Sequence, residues 1–221
     1  MVIPPEVIND SFYEAIRHFV AQAEVGVVLE IGSSDGSGST QAIVEAMTDK
    51  NVKELHCLEL SKPRFQVLAE RYSDMPWVHC WNLPSIERHR MPTKSDVASF
   101  YHTELDSPIR QNRLNEVQRW LRQDIRYIDR NAWRETGINA AKKSADVDLF
   151  DLVLIDGSEF TGEAELDELY GATFILLDDV RTYKNLASYR RLNADPDYKL
   201  VAQDLRCRNG FAVFRRKPVA G

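Results

Sequence analysis

Cysteine is scarce in this chain, and its three copies, Cys57, Cys80 and Cys207, show no CxxC spacing. An odd, scattered set argues against a disulfide framework and against a zinc site. Reduced, buried thiols in a cytoplasmic protein are the expectation. Long apolar runs are missing too: none approaches the roughly 18 residues of a membrane span. The opening M-V-I-P-P-E-V-I-N-D lacks the charged and apolar regions of a signal peptide. There is no excess of positive charge. The formal net charge of −6 disfavours an extended phosphate-binding surface, so no nucleic-acid partner is expected, although a local basic patch is compatible with it. Internal repeats, low-complexity segments and long flexible linkers are absent. What remains is a chain of 221 residues with ordinary apolar and charged fractions. That length suits a single α/β domain over 1–221 carrying one insertion.

Glycine is sparse, yet Gly32, Gly36 and Gly38 fall together in V-G-V-V-L-E-I-G-S-S-D-G-S-G-S-T, residues 25–40. Val25, Val27, Val28 and Leu29 read as a buried strand ending at Glu30. From Thr40 the apolar residues recur at helical spacing. A strand, a glycine turn and a helix let backbone approach a nucleotide closely, with helix N–H groups aimed at it. Ordinary αβ turns use glycine as well; the acid at the strand end and the spacing after it sharpen the reading.

Ahead of this motif, residues 11–23 carry a helical stripe (Phe12, Ala15, Ile16, Phe19, Val20) that Asn9, Asp10 or Ser11 could cap. After it, residues 54–60 read as a second strand ending in Glu59, about 20 residues beyond the last glycine. Nucleotide-binding α/β folds place there a carboxylate that accepts from both ribose hydroxyls. A helix over 63–72 and a third strand over 77–81 follow. Asn82, at the end of that strand, has an amide able to read an adenine edge.

The pattern breaks over residues 85–148, a segment too long for an ordinary connection. Within 109–128, Leu114, Val117, Trp120, Leu121, Ile125 and Ile128 keep helical spacing, interleaved with Arg113, Arg119, Arg122 and Arg126. The plain reading is an amphipathic helix with a solvated basic side. The sharper one is a helical cap over a substrate crevice, its arginines holding an anionic group. His89 and His102 lie in the same insertion as candidate bases. Regular structure resumes with an almost wholly apolar strand over 150–155 running into Asp156, a short helix over 162–169, and a strand over 173–177 ending at Asp178-Asp179. A helix over 182–192 and a hairpin (198–203 and 211–214, turning at Asn209-Gly210) complete a doubly wound, mostly parallel seven-stranded α/β sheet.

Glu30, Glu59, Asp156 and the Asp178-Asp179 pair thus collect at strand ends that line one crevice in an open α/β sheet. At these residues the chain resembles the Rossmann-like class I S-adenosylmethionine (SAM)-dependent methyltransferases. E-I-G-S-S-D-G-S-G is similar to their SAM loop. F-D-L-V-L-I-D-G and F-I-L-L-D-D-V are similar to segments of the metal-dependent small-molecule O-methyltransferases. The resemblance implies that Gly32, Gly36 and Gly38, with Ser33, Ser34, Asp35, Ser39 and Thr40, surround the methionine portion. It further implies that Glu30 contacts the amino end, Glu59 the ribose and Asn82 the adenine side. Asp156 would face both cofactor and chemistry, and Asp156, Asp178 and Asp179 would hold Mg²⁺, an ion that prefers oxygen ligands. Two departures stand out. Ser158-Glu159-Phe160 replaces the usual histidine or other base, and Tyr170-Gly171-Ala172 replaces Pro-Gly-Gly.

The implied activity is methyl transfer to an oxygen of a small molecule. Association as a homodimer is left open, as are the acceptor's identity and any metal requirement. One rival is a short-chain NAD(P)-dependent reductase, which shares Gly-x-x-x-Gly-x-Gly but needs a Tyr-x-x-x-Lys that this chain lacks. Others are a non-catalytic SAM-binding protein and a nucleic-acid methyltransferase, the latter disfavoured by the acidic balance.

Overall fold

The computed structural model describes residues 7–48 and 54–218. The opening residues 1–6, on which the reading of no signal peptide partly rests, lie outside them. Seven strands form one sheet: β1 (Val27–Ile31), β2 (Glu54–Leu58), β3 (Val78–Trp81), β4 (Leu152–Ile155), β5 (Phe174–Leu177), β6 (Tyr198–Asp204) and β7 (Phe211–Arg216). Their order is β3-β2-β1-β4-β5-β7-β6, parallel except that β7 runs antiparallel to both its neighbours, β5 and β6. The direction of winding reverses between β1 and β4. Such a switch point opens a crevice beyond the carboxyl ends of the strands.

The apolar runs are explained by burial on both faces. Val28, Leu152, Leu154, Phe174 and Leu176 pack beneath α1 (Ser11–Val20), α2 (Ser39–Thr48) and α3 (Lys62–Arg71). Their neighbours Leu29, Val153, Ile155, Ile175 and Leu177 pack on the other side, against α6 (Gly137–Ala145), α7 (Gly162–Leu169) and α8 (Leu186–Ala194). Asp10 caps α1, accepting from the Phe12 and Tyr13 amides at 2.9 and 2.8 Å. Buried His56 accepts from Trp81 Nε1 at 3.2 Å and pairs with Glu54 at 3.0 Å, so its ring is a satisfied core group.

The long segment between β3 and β4 divides in two. Its last helix, α6, belongs to the sheet: Ile138 and Ala141 are fully buried with the β-strand residues. The insertion proper is therefore shorter than 85–148. It holds α4 (Lys94–Thr103), α5 (Leu114–Asn131) and two single 3₁₀ turns, with a core of its own in which Ile86, Val117, Leu121 and Ile128 meet Phe160. The helix expected over 182–192 begins only at Leu186. Asp179, at φ +53°, and the Asn185 side chain turn residues 179–185 back over the strand ends. Among the described residues no helix is long and apolar enough to cross a membrane.

Candidate functional site

A cavity of about 410 Å³ opens at the carboxyl ends of β1, β2 and β4, under α5. Gly32, Glu59 and Asp156 line it from the sheet side. Arg64 of α3 and Asp124 and Tyr127 of α5 line it from outside.

The glycine loop leaves β1 at Gly32, whose amide donates to Leu58 O at 2.9 Å. Its φ is +92°, and a Cβ there would stand 1.9 Å from Asp156 O, so only glycine lets the ends of β1 and β4 approach this closely. Of the expected loop residues, Gly32 alone reaches the cavity wall. Glu30 is fully buried behind the loop and anchors it: Oε2 accepts from Thr40 Oγ1 at 2.6 Å. Burial pushes its carboxyl above the usual range. Glu30 Oε1 and Ser33 Oγ are buried with no partner among the described residues. Asp35 braces the turn by accepting from Ser37 N and Oγ at 3.0 and 2.6 Å. Gly36 O accepts from Tyr72 at 2.6 Å. Gly38 O receives the Ala42 amide at 3.2 Å as α2 begins at Ser39.

Glu59 sits just past β2, with each carboxylate oxygen fixed by a backbone amide. Oε2 accepts from Ser34 N at 2.9 Å and Oε1 from Ser61 N at 2.6 Å. Burial pushes its carboxyl up, against the pull of those amides and Arg64. Asn82 departs from expectation. Its Nδ2 donates to Glu59 O and Leu60 O at 2.8 and 2.9 Å, so the NH₂ group braces the β2 loop, and Asn82 is not on the cavity wall. Leu60, Leu83 and Ile86 form the apolar wall beside it.

The three late aspartates do converge, with one oxygen of each within 4.8 Å of the others. As an all-oxygen set they match the ligand chemistry of Mg²⁺. The position a cation would take is, however, filled from within. Lys184 Nζ stands 2.6 Å from Asp156 Oδ1 and 2.6 Å from Asp179 Oδ2. Arg208 Nη2 donates to both oxygens of Asp178 at 2.8 Å and its Nη1 pairs with Asp10. Burial lowers the Lys184 ammonium's pKa, but Asp156 and Asp179 outweigh it and hold the group charged. A metal has no open position among these residues as they stand.

The arginines of α5 do not line the cavity; Gln123, Asp124, Tyr127 and Ile128 do. Burying Val117, Leu121 and Ile128 orients the helix, and that rotation turns the arginine side away. His89 and His102 are exposed and do not line this cavity. Two contacts that sequence spacing did not indicate close the cap. Ser158 Oγ donates to Asp124 Oδ2 at 2.5 Å, and the Lys62 amide donates to Tyr127 Oη at 3.0 Å.

Glu159, in the place of the missing base, accepts from the Lys184 amide at 3.3 Å, and burial pushes its carboxyl up to about 7. A raised carboxyl binds its proton more tightly in the native chain than in the unfolded one. Stability from this group is therefore full below the ordinary value of 4.5 and is lost as pH rises through about 7. We expect Glu159→Gln to match wild type at pH 4 and to exceed it at pH 8 by about 1–3 kcal/mol, read by urea unfolding at both pH values. Equal stabilities at pH 8 would show that the carboxylate carries no such cost.

No family model and no curated protein sequence matches the chain. Solved structures do. An O-methyltransferase from Bacillus cereus in complex with SAH matches with TM-score 0.56 at 14% identity, over 97% of this chain and 84% of that one. The O-methyltransferase TomG from Streptomyces achromogenes, involved in tomaymycin synthesis and in complex with SAM, matches with TM-score 0.53 at 12% identity, over 98% and 84%. An SAH-bound methyltransferase from Podospora anserina matches with TM-score 0.51 at 15% identity, over 96% and 81%. The sheet order and its flanking helices thus share the Rossmann-like fold of these methyltransferases.

Proposed function

We propose that the chain is a SAM-dependent methyltransferase acting on an oxygen of a small molecule. The observation that carries this reading is the cavity wall at the switch point: Gly32 held against Asp156, beside a Glu59 whose carboxylate is oriented by two loop amides. The residues fit the cofactor. Glu59 offers remaining lone pairs to a vicinal diol. The apolar wall of Leu60, Leu83 and Ile86 suits a flat base. With Asp156 neutralised by Lys184, Glu59 and Asp124 still outnumber Arg64 around the cavity, a balance that favours a cationic ligand such as a sulfonium. The neighbours crystallised with SAM or SAH support the same assignment.

When bound, the cofactor would supply an electrophilic methyl group. The chain's own contribution is mainly alignment, a term large enough to supply much of the acceleration. The Asp124–Ser158 and Tyr127–Lys62 contacts hold α5 over the cavity and limit water. Asp156, a cavity-wall carboxylate at the end of β4, would accept a hydrogen bond from the reacting hydroxyl. A cavity of about 410 Å³ lies within the range of small-ligand sites, which favours a compact acceptor over a polymer.

Calorimetry with SAM and SAH tests the reading. Saturable binding with a dissociation constant in about the micromolar range is expected. No heat of binding at high micromolar concentrations of either would overturn it.

A further inference from the structure

We infer that Lys184 is the resident cation of the Asp156–Asp178–Asp179 cluster and takes the place a divalent metal ion would otherwise occupy. Its Nζ lies 2.6 Å from one oxygen on each of Asp156 and Asp179, bridging the ends of β4 and β5. The third acid is separately neutralised by Arg208.

The placement is built into the chain around Lys184. Asn185, fully buried, donates through Nδ2 to Ile155 O at 2.9 Å and Asp178 O at 2.7 Å, clamping the loop to both strand ends. The Lys184 amide donates to Glu159 Oε1 and Thr182 Oγ1, each at 3.3 Å. Gly162 makes room: a Cβ there would stand 2.1 Å from Lys184 O and 2.3 Å from Asn185 Oδ1. The lysine side chain is 9% exposed, so its charge is isolated from water and its partners are set by the fold.

Charge explains why the lysine and a metal exclude each other. Three carboxylates facing Lys184 and Arg208 are nearly neutralised. A divalent ion entering at carboxylate distances of about 2.0–2.6 Å would meet the ammonium within contact range. Admitting the ion would leave the buried lysine ammonium without its carboxylate partners, which is strongly unfavourable. Lys184 is thus a positioning residue. It holds Asp156 at the cavity wall and joins it to Asp179, and any methyl transfer here, which rests on the proposed function, proceeds without added metal.

The test is Mn²⁺ titration followed by the electron paramagnetic resonance signal of the free ion, on wild type, Lys184→Met, Lys184→Arg and Asp179→Asn. Wild type and Lys184→Arg are expected to show no saturable uptake. Lys184→Met, with the three acids intact and the ammonium gone, is expected to bind about one Mn²⁺ per chain, at least about tenfold tighter than wild type. Stoichiometric uptake by wild type that Asp179→Asn abolishes would overturn the proposal, as would a folded Lys184→Met that binds no tighter than wild type. If Lys184→Met does not fold, the wild-type and Asp179→Asn titrations decide alone: no saturable uptake by wild type supports the resident lysine. SAH calorimetry in excess EDTA is read separately, so a failure of the methyl-donor assignment leaves the cation result standing.

Discussion

Gly32→Ala should lose about 3 kcal/mol or more of stability and all measurable affinity for SAH. Two costs add. An alanine at φ +92° is held in a sparsely populated conformation, worth about 1–3 kcal/mol. Its Cβ would also stand 1.9 Å from Asp156 O, a backbone atom that cannot rotate away. Relief requires the ends of β1 and β4 to separate, and these frame the cavity. The Asp156 amide donates to Ile31 O at 3.0 Å beside that contact, so the strand pairing is disturbed as well. Gly36 is the internal control. Its φ is also positive, at +80°, but a Cβ there meets the Tyr72 ring at 2.7 Å and a Leu68 methyl at 2.8 Å, which are side-chain atoms that can shift. Gly36→Ala should therefore be the milder of the two. Urea unfolding and SAH calorimetry on both variants measure the difference. A Gly32→Ala protein within about 1 kcal/mol of wild type would remove the argument that this contact needs glycine.

Glu59→Ala should weaken SAH binding by about 30–100-fold. The carboxylate does two jobs that the substitution ends together. It accepts from the Ser34 and Ser61 amides, each of which would otherwise lack a partner in the loop, and it faces the cavity where a vicinal diol would bind. Glu59→Gln separates the two. One of its termini is an oxygen, so one loop amide stays satisfied, while the other becomes an NH₂ that cannot accept. We expect Glu59→Gln to retain most of the stability lost by Glu59→Ala but little of the affinity. If Glu59→Ala binds SAH within about twofold of wild type, the ribose role fails and the residue is a loop brace.

Residues near each other in sequence were readable to the degree that their chemistry is local. Burial of every residue of β4 and β5 requires a covering layer on both faces, and an uninterrupted apolar run announces it. The turn from β1 to α2 needs positive φ, and glycine marks that need. Contacts that depend on distant partners were not readable in the same way. Asn82 stands at an expected strand end, but its NH₂ group donates to the Glu59 and Leu60 carbonyls, which a neighbouring strand brings within reach. The α5 arginines keep the right spacing for a basic side, yet the direction of that side follows from where Val117, Leu121 and Ile128 find their core. Asp124 carries no local signal at all; its meaning comes from Ser158, 34 residues away.

Hydrophobic periodicity and backbone stereochemistry act within a few residues, so the seven strands, their order and the glycine turn could be written down from the chain alone, whereas α4 and α6 within 85–148 could not. Electrostatic pairing acts through space between groups far apart in the chain. Asp156, Asp178 and Asp179 looked like ligands awaiting an ion because nothing local shows which of the nearby cations, Arg181 or Lys184, turns back onto them. Only folding carried Lys184, 28 residues from Asp156, into the middle of the cluster and set Arg208, 30 residues from Asp178, against its third member.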